Sequence, residues 1–445
     1  MLKLLLLAPI TLSLCGCSAS SSIKEGTSLA GSWVGAAKYR GADLATTVRF
    51  IHNEQGISAT ISTPDAYQLD APLRNVRYQH PDLHFEVEEA GERLLFDGKR
   101  DGESISGTVR GGELQAEFRL KRTSTEQAVN YRQEVVSFRH DNIQLSGTLF
   151  LPSHSGKHPA VVFIHGSGPH TRDDYRFYAD VFARRGVAAL IYDKRPVGGT
   201  GSNDEQSDLQ ELAGDALAAV EFLKSRDDIN RKQIGLWGLS QGGWVAPLAA
   251  VQSADVAFLI IVSGPGVKVG EVHLYAGERR LRERGFSETE ISEALTALKQ
   301  VDEFVRSGGD RNALQSHLDQ AGTKRWASST ILPRRVPTAA EQSSLFRWRN
   351  LDFDPAPTWE RIRVPVLLFF GERDNVVPVQ QSVERIGDAL KKAGNKDVTI
   401  KVYPDSDHII KRRVASDGKW DWPRPSPGYV DMMIDWTLRR VDVVK

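Results

Sequence analysis

A chain of 445 residues is long enough for two domains, one of them with a large buried core. Lysine plus arginine count 57 and aspartate plus glutamate count 57, so no net field draws the chain to nucleic acid or to acidic lipid. The sequence holds no metal-ligand cluster and no phosphate-binding loop, which leaves chemistry carried by side chains alone, without a cofactor or a metal.

The first residues read as a targeting signal. Lys3 supplies a positive start, and Leu4 to Leu14 form an apolar stretch too short to span a bilayer as a permanent helix. The stretch ends in Leu14-Cys15-Gly16-Cys17, which resembles a bacterial lipobox and implies Cys17 as the lipidated residue. Residues 1–17 are then the signal and 18–28 a Ser-rich tether. Cys15 leaves with the signal, so the mature chain keeps no cysteine pair. Ser18 after the lipidated residue, with no aspartate retention signal, implies an outer-membrane lipoprotein facing the periplasm. A plain signal peptide, with a soluble periplasmic or secreted product, is the alternative.

From 29 to 122 short alternating runs are separated by glycine and polar turns, among them Thr47–Ile51, Gly56–Ile61, Leu83–Val87, Ile105–Val109 and Leu114–Leu120. Period-two alternation at hairpin spacing predicts an antiparallel meander, closed as a small barrel or sandwich. It contains no catalytic constellation. Lys121–Gln127 reads as a linker.

From 130 to 440 strands and helices alternate. Val135–Arg139 and Ile143–Leu151 open as a hairpin, and Leu209–Leu223 places Leu209, Leu212, Ala216, Val220 and Leu223 on one helical face. This succession specifies a mostly parallel sheet with helices on both sides. Between the strands Phe258–Val262 and Val364–Phe370, an insertion at about 270–358 contains the helix Glu288–Val305 and scattered aromatics, Trp326, Phe346, Trp348 and Trp359.

The chemistry centres on Ile234-Gly235-Leu236-Trp237-Gly238-Leu239-Ser240-Gln241-Gly242-Gly243, an apolar run entering Gly-x-Ser-x-Gly before a helical stretch. A serine at such a corner is forced into a strained backbone that lifts its hydroxyl to the edge of a sheet. A serine hydroxyl is a weak nucleophile near neutral pH, so it needs a histidine to take its proton and a carboxylate to orient that histidine. Asp374 follows the strand Val364–Phe370, and His408 follows the strand Val398–Tyr403. Both therefore sit beyond the carboxyl ends of strands, where α/β sheets place their sites.

On these motifs, with His165-Gly166-Ser167-Gly168-Pro169 and Asp193-Lys194-Arg195-Pro196-Val197-Gly198-Gly199, the chain resembles the α/β-hydrolase superfamily. The likeness is to bacterial serine hydrolases of the carboxylesterase and serine-aminopeptidase type. It implies an α/β-hydrolase fold with a helical cap formed by the insertion, preceded by the small β domain. It also implies Ser240, Asp374 and His408 as nucleophile, acid and base. The backbone N–H groups of Ser167 and Gln241 would form the oxyanion hole. His165 would support the oxyanion strand, and Asp193, Lys194 and Arg195 would form a loop-stabilising ion cluster. The insertion's aromatics either line an apolar substrate site or pack the cap onto the sheet. Two positions depart from the family's pattern: Asp407 stands directly before His408, as a rival orienting acid, and Pro196 stands where relatives carry glycine. The expected activity is hydrolysis of a small carboxylic ester through an acyl-enzyme. An exported aminopeptidase-like peptidase is the alternative, and an acyl thioesterase ranks third.

Overall fold

The computed structural model of the protein describes residues 28–39, 42–54, 56–89, 92–111, 114–124, 129–195, 208–413 and 423–443. Cys17 with its signal, the tether up to residue 27, and Pro196 lie outside the described residues.

Nine antiparallel strands come first: β1 (Gly31–Tyr39), β2 (Ala42–Asn53), β3 (Gly56–Thr63), β4 (Gln68–Pro72), β5 (Arg74–Gln79), β6 (Asp82–Glu89), β7 (Glu92–Asp101), β8 (Ser104–Gly111) and β9 (Leu114–Thr123). They form one sheet in the order β4-β3-β2-β1-β9-β8-β7-β6-β5. Phe50 on β2 and Phe85 on β6 are five strand spacings apart in that order, about 24 Å if the sheet were flat. Their ring centroids are 6.1 Å apart. The sheet therefore curls until its inner face closes around Trp33, Phe50, Phe85, Phe96 and Phe118. The expected barrel or sandwich resolves to one curled sheet whose end strands, β4 and β5, share no ladder.

The second domain carries β10 (Tyr131–His140), β11 (Ile143–Pro152), β12 (His158–Ile164), β13 (Ala188–Tyr192), β14 (Ile229–Leu239), β15 (Val256–Val262), β16 (Val366–Gly371) and β17 (Val398–Tyr403). Their order is β10-β11-β13-β12-β14-β15-β16-β17. Every pairing from β13 to β17 is parallel, and β11 meets β13 antiparallel. Helices α1 (Arg176–Arg184), α2 (Leu209–Lys224) and α3 (Gly242–Ala250) link the early strands. Three longer helices, α4 (Val269–Glu283), α5 (Glu288–Ser307) and α6 (Arg311–Gly322), build the insertion, and α7 (Val379–Lys392) and α8 (Tyr429–Leu438) complete the layers.

Strand β12 shows why the sheet is covered on both faces. All seven of its residues are buried, and they alternate between two cores. Ala160, Val162 and Ile164 face α2, α3 and α7, whereas Val161 and Phe163 face α1 and α8. Each fully buried Val, Leu, Ile or Phe contributes about 1.5–3 kcal/mol, so this alternation fixes the register of the central strands. Among the described residues, no helix is long and apolar enough to cross a membrane.

The insertion has cores of its own. Trp326 is buried with Leu281, Ile291 and Ala297, and Trp348 is buried with Val301, Leu314 and Leu318. Trp359 packs beneath α3 and α7 in the main core. The three tryptophans therefore hold the cap together and onto the sheet. Of the two readings of these rings, their burial favours packing over a substrate lining.

Candidate active site

Strand β14 turns into α3 at Ser240, whose φ is +53°. This left-handed conformation costs a non-glycine residue on the order of 1–3 kcal/mol and persists only where neighbours impose it. Ser240 N donates to Val262 O at 2.8 Å, and Gly243 N donates to Ser240 O at 2.7 Å. The flanking glycines permit the corner. A Cβ on Gly238 would lie 2.4 Å from Gly242 O, and one on Gly242 would lie 2.8 Å from Ile164 O.

Asp374 and His408 are brought together from strand ends. His408 Nδ1 donates to Asp374 Oδ2 at 2.7 Å, and the Asp374 side chain is fully buried. The other carboxylate oxygen, Oδ1, receives Val376 N and Val377 N, each at 2.8 Å. With Nδ1 engaged as a donor, Nε2 is the nitrogen left to accept a proton. The backbone of the histidine loop is tied to the corner serine: Ser240 N bonds Val262 O, and the next residue, Ser263, donates its hydroxyl to His408 O at 2.7 Å.

Asp407 does not compete for the imidazole. Its Oδ1 accepts Ile409 N at 3.0 Å and Lys411 N at 2.9 Å, so it closes the turn that presents His408. Burial pushes its pKa above the usual aspartate value.

Opposite the histidine lies the loop after β12. A Cβ built on Gly166 would stand 3.7 Å from Ser240 Cβ, which sets this loop against the serine. Neither Ser167 N nor Gln241 N donates a hydrogen bond to any described residue, so both N–H groups are available to a developing oxyanion. His165 donates from Nε2 to Tyr192 O at 2.6 Å, and burial pulls its pKa down to about 3, so it stays a neutral brace. His170, the other imidazole nearby, faces Asp174 at 2.9 Å through Nδ1 and Ser167 O at 3.0 Å through Nε2.

The Asp193-Lys194-Arg195 run is not one ion cluster. Asp193 is held by Arg172, which donates from N at 2.9 Å and Nε at 3.0 Å. Arg195 bonds Asp215 on α2, donating from Nε to Oδ2 at 2.7 Å, beside His140. Lys194 makes no ion pair among the described residues. Its Nζ donates to Gly166 O at 2.6 Å, Gly168 O at 3.1 Å and Gln241 Oε1 at 2.7 Å. One buried ammonium thus joins the loop after β12 to Gln241. Burial pulls its pKa down to about 7.

Sequence reasoning missed four contributors. The sequence places Lys194 in a charged run that reads as ion pairing, whereas its three acceptors come from segments distant in the chain. Ser263 stands in a left-handed corner of its own, at φ +49°, with no motif to mark it. A Cβ on Gly371 would meet Asp407 O at 2.0 Å, so this glycine lets the acid strand and the histidine loop touch. Tyr275 on α4 donates its hydroxyl to Asp374 O at 2.9 Å, which brings the cap to the acid.

The chain is similar to several known proteins. The esterase EstD of Thermotoga maritima is 28% identical over 339 residues, 73% of each chain. The thiohydrolase aneE of Aspergillus aculeatus is 32% identical over a shorter stretch of 130 residues, 29% of this chain and 40% of that one. Among solved structures, DcsB in complex with its substrate analogue is 18% identical with a TM-score of 0.44, covering 70% of this chain and all of that one. Est1E of Butyrivibrio proteoclasticus is also 18% identical, with a TM-score of 0.40 and coverage of 68% and 96%. The profile of the alpha/beta hydrolase family matches residues 161–412, more than half of the sequence and a span that takes in Ser167, Ser240, Asp374 and His408. The chain belongs to the α/β-hydrolase family.

Proposed function

We propose that the protein is a serine hydrolase that cleaves carboxylic esters through a Ser240–His408–Asp374 triad. The observation that carries this reading is the buried His408–Asp374 bond of 2.7 Å beside the strained corner at Ser240. Ser240 Oγ attacks the acyl carbonyl while its proton passes to His408 Nε2. Asp374 holds the imidazole tautomer and stabilises the transient cation. The charge arriving on the carbonyl oxygen is received by the N–H groups of Ser167 and Gln241. His408 then gives its proton to the departing alcohol. In the second half, water loses a proton to His408 and attacks the acyl-enzyme, and His408 passes that proton to Ser240 Oγ as the acid departs. The likeness to a relative named as an esterase, over 73% of both chains, favours an ester over an amide.

A panel of p-nitrophenyl esters of graded acyl length, run beside aminoacyl-naphthylamides and acyl thioesters, tests the bond class. Turnover of esters well above both other classes is expected; preferential cleavage of the naphthylamides would replace the reading with a peptidase. For location, the proposal is an outer-membrane lipoprotein held by Cys17, with the hydrolase facing the periplasm. Recovery of the intact protein in the soluble fraction, with a mature N-terminus other than residue 17, would overturn it.

A further inference from the structure

The β domain reaches into the hydrolase core through the side chain of Tyr67. A single tight turn, Pro64–Ala66, ends at Tyr67, whose φ of +59° throws the ring out of the β domain. Tyr67 is only 9% exposed, and its buried neighbours belong to the hydrolase core. Its ring lies 5.2 Å from that of Phe177, 5.3 Å from Tyr178 and 6.3 Å from Tyr429. Its hydroxyl donates to Ile410 O at 3.4 Å, two residues beyond His408.

Ile410 is an unusual anchor point. It is a fully buried β-branched residue at φ +59°, a conformation such a side chain disfavours strongly. Geometry of this kind survives only where the surroundings over-determine it. From the hydrolase side, Ser426 N donates to Ile410 O at 2.9 Å, and Ile410 N closes on Asp407 O at 3.1 Å. From the β domain come three further contacts. Tyr67 caps the same carbonyl, Lys411 Nζ donates to Ala66 O at 3.0 Å, and that ammonium sits 4.9 Å over the Tyr67 ring. Lys411 is also the residue whose backbone accepts Asp407 N at 2.8 Å and donates to Asp407 Oδ1 at 2.9 Å. One short turn therefore presents His408 and is held at its far end by the β domain. Arg424, on the strand that pairs with Lys411–Arg413, adds a bond to Asp43 O at 3.0 Å.

We propose that the β domain is a built-in clamp on the histidine loop, and that Tyr67 is a positioning residue for His408. The inference rests on the reading of His408 as the base. If the clamp acts, loosening it displaces the imidazole from Asp374 and from Ser240 without altering the surface that binds substrate. The effect then falls on kcat and on the rate of fluorophosphonate labelling, and KM stays nearly constant.

The experiment compares Tyr67→Ala, Tyr67→Phe and the full-length parent, with Val87→Ala as a control that weakens the β domain's core away from the contact. Tyr67→Ala is expected to lower kcat by about ten- to a hundred-fold, the scale of a small misplacement of a reacting group. KM should change by less than the kcat does, and Tyr67→Phe, which keeps the ring, should recover most of the loss. Val87→Ala should lower the melting temperature and leave kcat near that of the parent. Equal kcat values in Tyr67→Ala and parent, or an equal kcat loss in Val87→Ala, would overturn the clamp. If Tyr67→Ala does not fold, Tyr67→Leu serves in its place under the same criteria. A wrong base assignment would show itself differently, as activity retained in His408→Ala.

Discussion

The two sides of Ser240 are held by different physics. On the oxyanion side, the loop Gly166–Gly168 and Gln241 are gathered by one buried ammonium, Lys194, which reaches three oxygens and no carboxylate. On the base side, the His408 turn is held by backbone close approach at Gly371, by the hydroxyls of Ser263 and Tyr67, and by turn bonds from Asp407. The first device depends on a proton that burial makes easy to lose. The second depends on shape, on hydroxyl and backbone donors and on the Lys411 ammonium, and it draws on a separate domain. The contrast exposes the first device to pH: the oxyanion side should loosen as pH rises through about 7 and the Lys194 ammonium loses its proton.

The largest effect tests the base side. Asp374→Asn should reduce kcat/KM by about 10⁴-fold, because it presents the wrong partner to His408 Nδ1. Asp407→Asn should cost far less, since that carboxylate bonds only its own turn. The reverse ranking, measured by steady-state kinetics on one ester, would move the orienting role to Asp407 and erase the division drawn above.

A smaller effect tests the oxyanion side. Three acceptors around Lys194 Nζ require three N–H donors, which only the ammonium supplies. Lys194→Met should lower kcat by about 10²-fold at pH 6, the scale of losing an oxyanion donor. The parent's activity should decline on the alkaline side of about 7, and the ratio of parent to variant should shrink there. A ratio independent of pH would remove the ammonium from the account.

The smallest expected effect is on stability, and it has the opposite sign. The folded-state pKa of Lys194 lies below the unfolded value, so between about 7 and about 10 the unfolded chain binds the extra proton. The contribution of this group to stability therefore rises with pH across that window, while activity falls. Denaturant melts of parent and Lys194→Met at pH 6 and pH 9 should show the parent gaining relative to the variant.

Much of this was legible in the sequence, for reasons that are local. The corner at Ser240 is marked by the glycines its own backbone contacts require. Asp374 follows a buried strand whose apolar run is continuous, as a strand covered on both faces must be, whereas His408 follows the edge strand β17, whose half-exposed run is broken by Thr399 and Lys401. The β domain was harder to read. β1 is rich in glycine and alanine, β5 is mostly polar, and β7 interrupts its alternation with Leu94-Leu95-Phe96, so none stands out. What stayed hidden is what depends on distant partners. Lys194 looks like one member of a charged triplet until Gln241 is brought beside it. Tyr67 follows Pro64-Asp65-Ala66 and has the local appearance of an exposed turn. Its burial is created by residues of another domain, Phe177 and Tyr178, more than a hundred positions on. The cap tryptophans leave packing and substrate lining both open in the sequence, because composition carries no information about which way a ring faces.

The central claim is that Ser240 is the nucleophile of a triad held in place from both sides. The most direct measurement is peptide mapping by mass spectrometry after labelling with a fluorophosphonate, carried out on the parent, Ser240→Ala and Lys194→Met. The account expects a single adduct on Ser240, absent from Ser240→Ala and formed more slowly in Lys194→Met. An adduct on another residue, or one that persists undiminished in Ser240→Ala, would contradict it.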